Sequence, residues 1–297
     1  MGAAANIVLR QIGHHLDHHI FPRIRNGGVV VPSDPAVQLS HLGTENQDEH
    51  QASRSRKPES RSQERAPGWQ GPARAFWSPH QTAPVVCTDL RTQYEDELDA
   101  VDEAYPGIRV WRQEDAVWLL TESSLLPDLP QRALFLTGIS FSRATVRSWG
   151  FWRHSLVGYA WIGPRHTNFP DGSVCAFEPT DGTWGIGDSM VALLDLYTLW
   201  ALRHLHFQLF GRWPGQQAVC HPYERLLEVR ADEHCGCGDS DRVYGECCRS
   251  KDLARDRIAD AVQFIARVPG GGLRTPPRAV VEFVRQQKEP PTVRSLY

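Results

Sequence analysis

The chain has 297 residues, which is long for one domain and short for two complete ones, so we expect one main domain with appended segments. Apolar residues make up 41% of the chain, enough to form a hydrophobic core. The formal net charge is only −3, which argues against a nucleic-acid partner because such proteins carry a strongly basic surface.

Composition divides the N-terminal quarter into two segments. In residues 1–32, apolar residues recur every three or four positions, which predicts a short helix. Four histidines between positions 14 and 19 have the i,i+4 spacing of metal ligands, and we interpret them as a polar helix face. Residues 33–76 are rich in Ser, Arg, Glu, Gln and Pro and bury too little apolar surface to offset the entropy of ordering them. We predict a disordered linker there.

Residues 77–228 carry the pattern of an α+β domain. Thr88 can cap a helix with apolar residues at helical spacing, and the turn sequence Tyr105-Pro106-Gly107 would end that helix. Four strand-like runs separated by turn residues come next. These runs are residues 108–111, 117–121, 133–141 and 145–149. The order predicts an N-terminal helix followed by a four-stranded antiparallel meander.

A long helix is predicted over about residues 190–210, with Asp188 or Ser189 as its cap. This is the most apolar segment of the chain, yet it contains Asp195 and Arg203. Burying a charged side chain at the centre of a bilayer costs about 3 kcal/mol. We therefore expect a buried helix of a soluble domain and no membrane association.

An irregular stretch rich in Gly, Pro, Asp and His lies between the meander and the long helix, and ordered loops of this kind often carry function. Residues 166–175 within it read HTNFPDGSVC, and Trp184 follows Cys175 by nine residues. Residues 211–215, directly after the long helix, read GRWPG.

Taken in this order, these features resemble ubiquitin-conjugating enzymes, which have a helix, a four-stranded meander, a His-Pro-Asn motif before an active cysteine and a later Trp. They are more similar still to bacterial relatives encoded in antiphage defence operons, such as cyclic-oligonucleotide-based antiphage signalling systems (CBASS), which have a DGS-x-C loop and a Gly-x-Trp-Pro-Gly-like turn. The resemblance covers roughly residues 80–225. The chain departs from the eukaryotic pattern at Thr167, where proline is usual.

The resemblance implies a ubiquitin-conjugating-like fold and a catalytic site made of Cys175, Asn168 and His166. Cys175 would accept the C-terminus of a donor protein as a thioester and pass it to a target lysine. Asn168 would stabilise the oxyanion or brace the loop, and His166 would hold the loop. The implied donor is a nucleotidyltransferase or a ubiquitin-like protein.

Two other functions fit the same residues. The chain could be a non-catalytic adaptor in which the conjugating fold and a metal site only bind partners. It could also be a cysteine hydrolase in which Cys175 is activated by His154 or His166 as base. Lys57, Lys251 and Lys288, the three lysines of the chain, all lie outside residues 80–225. The simpler explanation of the scarce lysines is a GC-rich genome, and their placement would also suit a protein that holds an activated acyl group.

Four of the seven cysteines, Cys235, Cys237, Cys247 and Cys248, lie within fourteen residues. With no secretory signal at the start of the chain, this clustering favours a metal site over disulfides and a cytoplasmic location. Residues 232–252 resemble the SEC-C motif, a knuckle that implies one structural Zn2+ held by the four thiolates. Residues 253–297 are predicted to form a helical tail with a flexible end.

Overall fold

The computed structural model describes eight parts of the chain. They are residues 3–18, 23–25, 28–30, 87–124, 132–154, 158–177, 183–238 and 242–292. The predicted disordered linker at 33–76 lies outside them, as does the end of the predicted tail. Within the described residues the protein is an α+β fold, as predicted.

The described part contains helices and strands in the following order. They are α1 (Ala3–Asp17), β1 (Arg23–Arg25), β2 (Gly28–Val30), α2 (Cys87–Asp96), α3 (Leu98–Ala104), β3 (Arg109–Gln113), β4 (Ala116–Ser124), β5 (Arg132–Ser140), β6 (Thr145–His154), β7 (Gly158–Trp161), α4 (Met190–Phe210), α5 (Pro222–Glu228), α6 (Arg249–Leu253), α7 (Arg257–Arg267) and α8 (Arg278–Gln286). Short 3-10 turns lie at Tyr244–Glu246 and Pro269–Gly272.

Strands β3 to β7 form one antiparallel sheet in chain order, so the predicted meander has five strands rather than four. The fifth strand is only four residues long and starts at a glycine, which is why the strand pattern did not reveal it. Strand β6 also runs five residues beyond its predicted end and pairs with β7 through Phe151 and Trp161. The extension positions β7, whose Trp161 contacts the loop that contains Cys175.

The sheet is buried on both faces, which explains the nearly continuous apolar runs in its central strands. Val117 and Leu119 pack with α2, α3 and α4 on one face. Trp118 and Leu120 point to the other face and pack against α8, where Val280 and its neighbours are buried. The C-terminal helix therefore contributes to the core of the domain.

Helix α4 spans the length predicted from sequence and ends at Gly211, which adopts the left-handed conformation. Its first backbone amide, that of Met190, donates to Glu97 Oε2 at 2.7 Å, so a side chain from α2–α3 caps it instead of Ser189. None of the helices described in residues 3–292 combines the length and apolar character needed to cross a membrane.

Candidate active-site loop and metal centre

Residues 166–175 fold back on themselves as a tight hairpin-like loop. The Cys175 amide donates to the His166 carbonyl at 3.1 Å, and the Asn168 amide donates to the Ser173 carbonyl at 2.7 Å. Gly172 closes the turn with a left-handed φ of 63°, a conformation that costs glycine little. The pairing brings the three predicted site residues into one loop.

Three tryptophan indole N–H groups donate hydrogen bonds to carbonyl oxygens of this loop. The pairs are Trp149 of β6 to Asp171 (2.8 Å), Trp161 of β7 to Gly172 (3.2 Å) and Trp200 of α4 to His166 (2.8 Å). The Val174 amide also donates to the Ser148 carbonyl of β6 at 2.7 Å. The loop backbone is thus fixed by the sheet on one side and by α4 on the other, which restricts the position of Cys175.

Asn168 uses both hydrogens of its side-chain amide inside the loop. Its Nδ2 donates to the Ser173 Oγ at 3.2 Å and to the Val174 carbonyl at 3.0 Å. Val174 directly precedes Cys175, so the amide holds the backbone on which the cysteine is mounted. Of the two roles implied for Asn168, this geometry is that of a brace, because an oxyanion donor requires a hydrogen that is available to the substrate.

Cys175 is partly exposed and forms no disulfide. The predicted later tryptophan, Trp184, is buried; its indole donates to the Ser189 carbonyl at 2.9 Å and its ring packs against Phe177 at 5.3 Å. Trp184 therefore connects the cysteine loop to the start of α4 as a packing residue.

His166 begins the loop, and the burial of its ring, followed by the charge of Arg165, holds its pKa well below the ordinary value of 6.5. Its Nε2 lies 3.1 Å from Gln217 Oε1, and its ring lies against that of Trp213, with the centroids 4.1 Å apart and the planes tilted by 34°. An imidazole that binds protons so weakly, and whose Nε2 faces an amide oxygen, is a poor general base. These contacts favour the structural role over the hydrolase role. The His154 side chain lies outside the described part of the chain.

Sequence patterns gave no sign that the C-terminal segment contacts the loop. The Arg274 guanidinium donates to the Pro164 carbonyl at 3.1 Å and lies 3.9 Å above the Phe169 ring. The Thr275 amide donates to the Pro170 carbonyl at 3.2 Å. The sequence around Arg274 and Thr275 contains no motif that predicts these contacts, because their partners lie more than 100 positions away in the chain.

The second predicted site is the cluster of Cys235, Cys237, Cys247 and Cys248, whose sulfurs all lie within 4.8 Å of one another. The Sγ of Cys247 is 3.8 Å from those of both Cys237 and Cys248, and none of the four cysteines forms a disulfide. Four thiolates around one ion at 2.3 Å are separated by about 3.8 Å along the edges of the tetrahedron. The cluster therefore fits one tetrahedral metal ion.

Backbone turns at two glycines and a group of buried, hydrogen-bonded side chains hold the cysteine cluster in place. Gly236 and Gly238 take left-handed φ angles of 70° and 79° next to Cys235 and Cys237, which allows the chain to turn around the sulfurs. Below them the hydroxyl of Tyr244 donates to Asp252 Oδ2 at 3.1 Å. Asp252 is also paired with the guanidinium of Arg225, both groups being buried, through hydrogen bonds of 2.8 and 2.9 Å.

Comparison of the chain with protein-family models, with curated proteins and with solved structures finds no match in any of the three.

Proposed function

We propose that the protein is a cysteine-dependent acyl transferase of the ubiquitin-conjugating type. Cys175 carries the C-terminus of a donor protein as a thioester and passes it to a lysine amine of a target. The observation that supports this proposal best is a partly exposed thiol in a hairpin-like loop whose backbone is fixed by three indole donors and by the Asn168 amide.

The proposed reaction has two balanced steps. The Cys175 thiolate attacks the carbonyl carbon of an activated donor, a carbon–sulfur bond forms, and the activating group leaves with the electron pair of its bond. A lysine amine then attacks the thioester, an amide forms, the amine loses a proton, and the Cys175 thiolate leaves. Both steps pass through a tetrahedral oxyanion, which needs hydrogen-bond donors in a fixed geometry.

The arrangement of the fold agrees with this proposal. An antiparallel meander precedes the cysteine loop, and a long apolar helix follows it, in the order that the ubiquitin-conjugating resemblance implies. Asn168 acts as the brace of the loop. Removal of its amide leaves the Val174 carbonyl and the Ser173 hydroxyl without that donor, at a cost of about 1–3 kcal/mol.

Lysine placement supports acyl carriage. Residues 80–225 contain none, and the two lysines of the described part of the chain are Lys251 in α6 and Lys288 after α8. A domain without its own amines protects a bound thioester from attack within the chain. By the same resemblance, the donor is a nucleotidyltransferase or ubiquitin-like protein encoded beside this chain in an antiphage operon.

The metal that we propose for the four-cysteine cluster is Zn2+, because four thiolates in tetrahedral geometry suit this ion. Four protein ligands leave no open coordination position, so the ion has a structural role. Residues Cys235, Cys237, Cys247 and Cys248 would hold it.

A synthetic peptide whose C-terminal glycine is a 2-mercaptoethanesulfonate thioester tests acyl transfer without any activating enzyme. We expect an adduct of the peptide on the intact protein in mass spectra recorded without reductant, and its release by added lysine. Cys175→Ala should abolish the adduct, whereas the matched variant Cys220→Ala, which replaces an exposed cysteine outside the loop, should keep it. An adduct of equal yield on Cys175→Ala would contradict the proposal, and wild-type protein that binds the peptide without acylation would favour the adaptor.

A further inference from the structure

The cysteine loop and the four-cysteine knuckle are joined by a continuous set of polar contacts. Arg165 and His166 stand at the start of the loop, and Glu233 and His234 stand directly before Cys235, the first predicted metal ligand. Gln217, in the segment after α4, contacts Arg165, His166 and His234.

The orientation of the Gln217 amide follows from its neighbours. An Arg165 guanidinium nitrogen, which can only donate, lies 2.7 Å from one amide atom, so that atom is the oxygen Oε1. The nitrogen Nε2 then donates to the His234 carbonyl at 2.6 Å. The same Oε1 lies 3.1 Å from His166 Nε2, so this ring nitrogen carries the proton. One side chain thus contacts the loop with its oxygen and the knuckle with its nitrogen.

A buried ion pair runs parallel to the Gln217 connection. Arg165 donates from Nη1 to Glu233 Oε1 at 3.0 Å, and the side chains of the pair are 5% and 0% exposed. Glu233 also accepts from the backbone amides of Trp213 at 2.6 Å and Arg230 at 3.0 Å. A buried carboxylate with this many donors is held in one place, and it holds Arg165 there in turn.

The knuckle end of this connection depends on the cysteine cluster. The Cys235 amide donates to the Arg242 carbonyl at 3.0 Å, and His234 forms a β-bridge with Val243. These contacts join the two halves of the knuckle, each of which supplies two of the four sulfurs. A bound ion would tie the two halves together, and without it the four sulfurs lose their common partner.

We infer that the metal-bound knuckle positions the Cys175 loop, through Gln217 and through the Arg165–Glu233 ion pair. Gln217, Arg165 and Glu233 are positioning residues that act through the backbone of the loop. Metal occupancy then controls how well the thiol is presented. The coupling between knuckle and loop does not depend on the proposed function. Only its consequence for acyl transfer at Cys175 rests on that proposal.

Hydrogen exchange measured by mass spectrometry on the full chain tests this inference without any acyl donor. Removing the metal with a chelator should speed exchange of the amides of Asn168, Gly172 and Cys175 by about tenfold, the change expected when about one buried hydrogen bond is lost. Peptides from β4 and β5 are the internal control and should not change. Unchanged loop exchange in metal-free protein would overturn the inference.

A pair of adjacent glutamines supplies a variant and its control. Gln217→Met keeps the length of the side chain and removes both polar groups, and it should speed loop exchange while one metal ion per chain stays bound. The control Gln216→Met alters an exposed neighbour and should leave the loop as in wild type. Chelation should have a smaller effect on loop exchange in Gln217→Met than in wild type, because the variant has already lost one of the two connections between the knuckle and the loop. Equal effects of chelation in the two proteins would contradict the inference.

Two further readouts separate this inference from the proposed function. The rate at which iodoacetamide alkylates Cys175 should shift with metal removal and in Gln217→Met, and should stay at the wild-type value in Gln216→Met. If the peptide thioester acylates Cys175 but metal removal changes neither exchange nor alkylation, only the coupling fails. If the loop responds to the metal and no acyl adduct forms, only the proposed function fails. If chelation also speeds exchange in β4 and β5, metal removal has loosened the whole domain. Loop exchange in the metal-bound Gln217→Met protein then decides whether the knuckle positions the loop.

Discussion

The protein contains two cysteine sites that its fold builds in different ways. The knuckle draws its four sulfurs from residues 235–248, and local turns at glycines bring them together. Cys175 depends on groups from across the chain, because the carbonyls of its loop accept from Trp149, Trp161 and Trp200. A metal site can therefore be specified by a short sequence, whereas the proposed active site needs the complete domain.

Removing a metal ligand should have the largest effect and tests the local half of this comparison. We expect about one zinc per chain in purified protein and none in Cys235→Ser. Ligation of a structural zinc contributes on the order of 10 kcal/mol to the folding of small zinc domains. Metal analysis by plasma mass spectrometry gives the stoichiometry, and thermal unfolding gives the loss of stability. Protein that was never exposed to chelator and contains no metal would refute the zinc assignment.

Removing one indole donor tests the long-range half. In Trp200→Phe the His166 carbonyl loses its indole partner, and we expect a loss of about 1–3 kcal/mol with faster exchange in the loop. The control is Trp152→Phe, because Trp152 is similarly buried and its indole nitrogen has no hydrogen-bond partner among the residues that the structure describes. Chemical denaturation of both variants compares them. Equal losses would mean that ring volume, and not the donor, fixes the loop.

Asn168→Asp replaces the two donor hydrogens by a carboxylate that only accepts. We expect a loss of about 1–3 kcal/mol and a lower rate of acylation of Cys175, because the Val174 carbonyl then faces a like-charged oxygen. Ser173→Ala, which removes only one of the two acceptors, is the milder control. Single-turnover acylation by the peptide thioester measures the effect. A wild-type rate of acylation in Asn168→Asp would show that the Asn168 amide does not hold the loop for the reaction.

The pH dependence of stability tests the contact between α5 and the C-terminal segment, which Glu228 and Arg274 form. Burial raises the pKa of Glu228 from its ordinary value of 4.5 to about 7, although it is paired with Arg274 at 2.8 Å. Because the folded state holds this proton more tightly than the unfolded state, stability should fall by roughly 1–3 kcal/mol as the pH rises from about 4.5 to about 7.

Glu228→Gln should flatten that part of the pH profile, since the side chain no longer titrates. The control Glu246→Gln makes the same substitution at an exposed carboxyl, so it gives the effect of the chemical change without burial. Denaturant unfolding at several pH values measures both variants. A Glu228→Gln protein with the wild-type slope would assign the pH dependence to another group.

The same contrast explains what the sequence could predict. Clustering of the four cysteines follows from their spacing, and the long helix and four of the strands follow from their apolar patterns. The role of Asn168 as a brace depends on where Ser173 and Val174 present their oxygens, which only the folded loop determines. Gln217 and Arg274 carry no local signal, because each acts on a partner about 50 to 110 positions away. Long-range pairing of this kind has no periodicity that a sequence reveals.

The central claim is that the sulfur of Cys175 carries an acyl group. The most direct measurement isolates the full chain from cells that also express the genes adjacent to its own, at low pH and without reductant, and locates any acyl adduct by tandem mass spectrometry. We expect a protein C-terminus joined to Cys175 and released by hydroxylamine. An adduct joined to any other residue, with the Cys175 thiol unmodified, would contradict the claim.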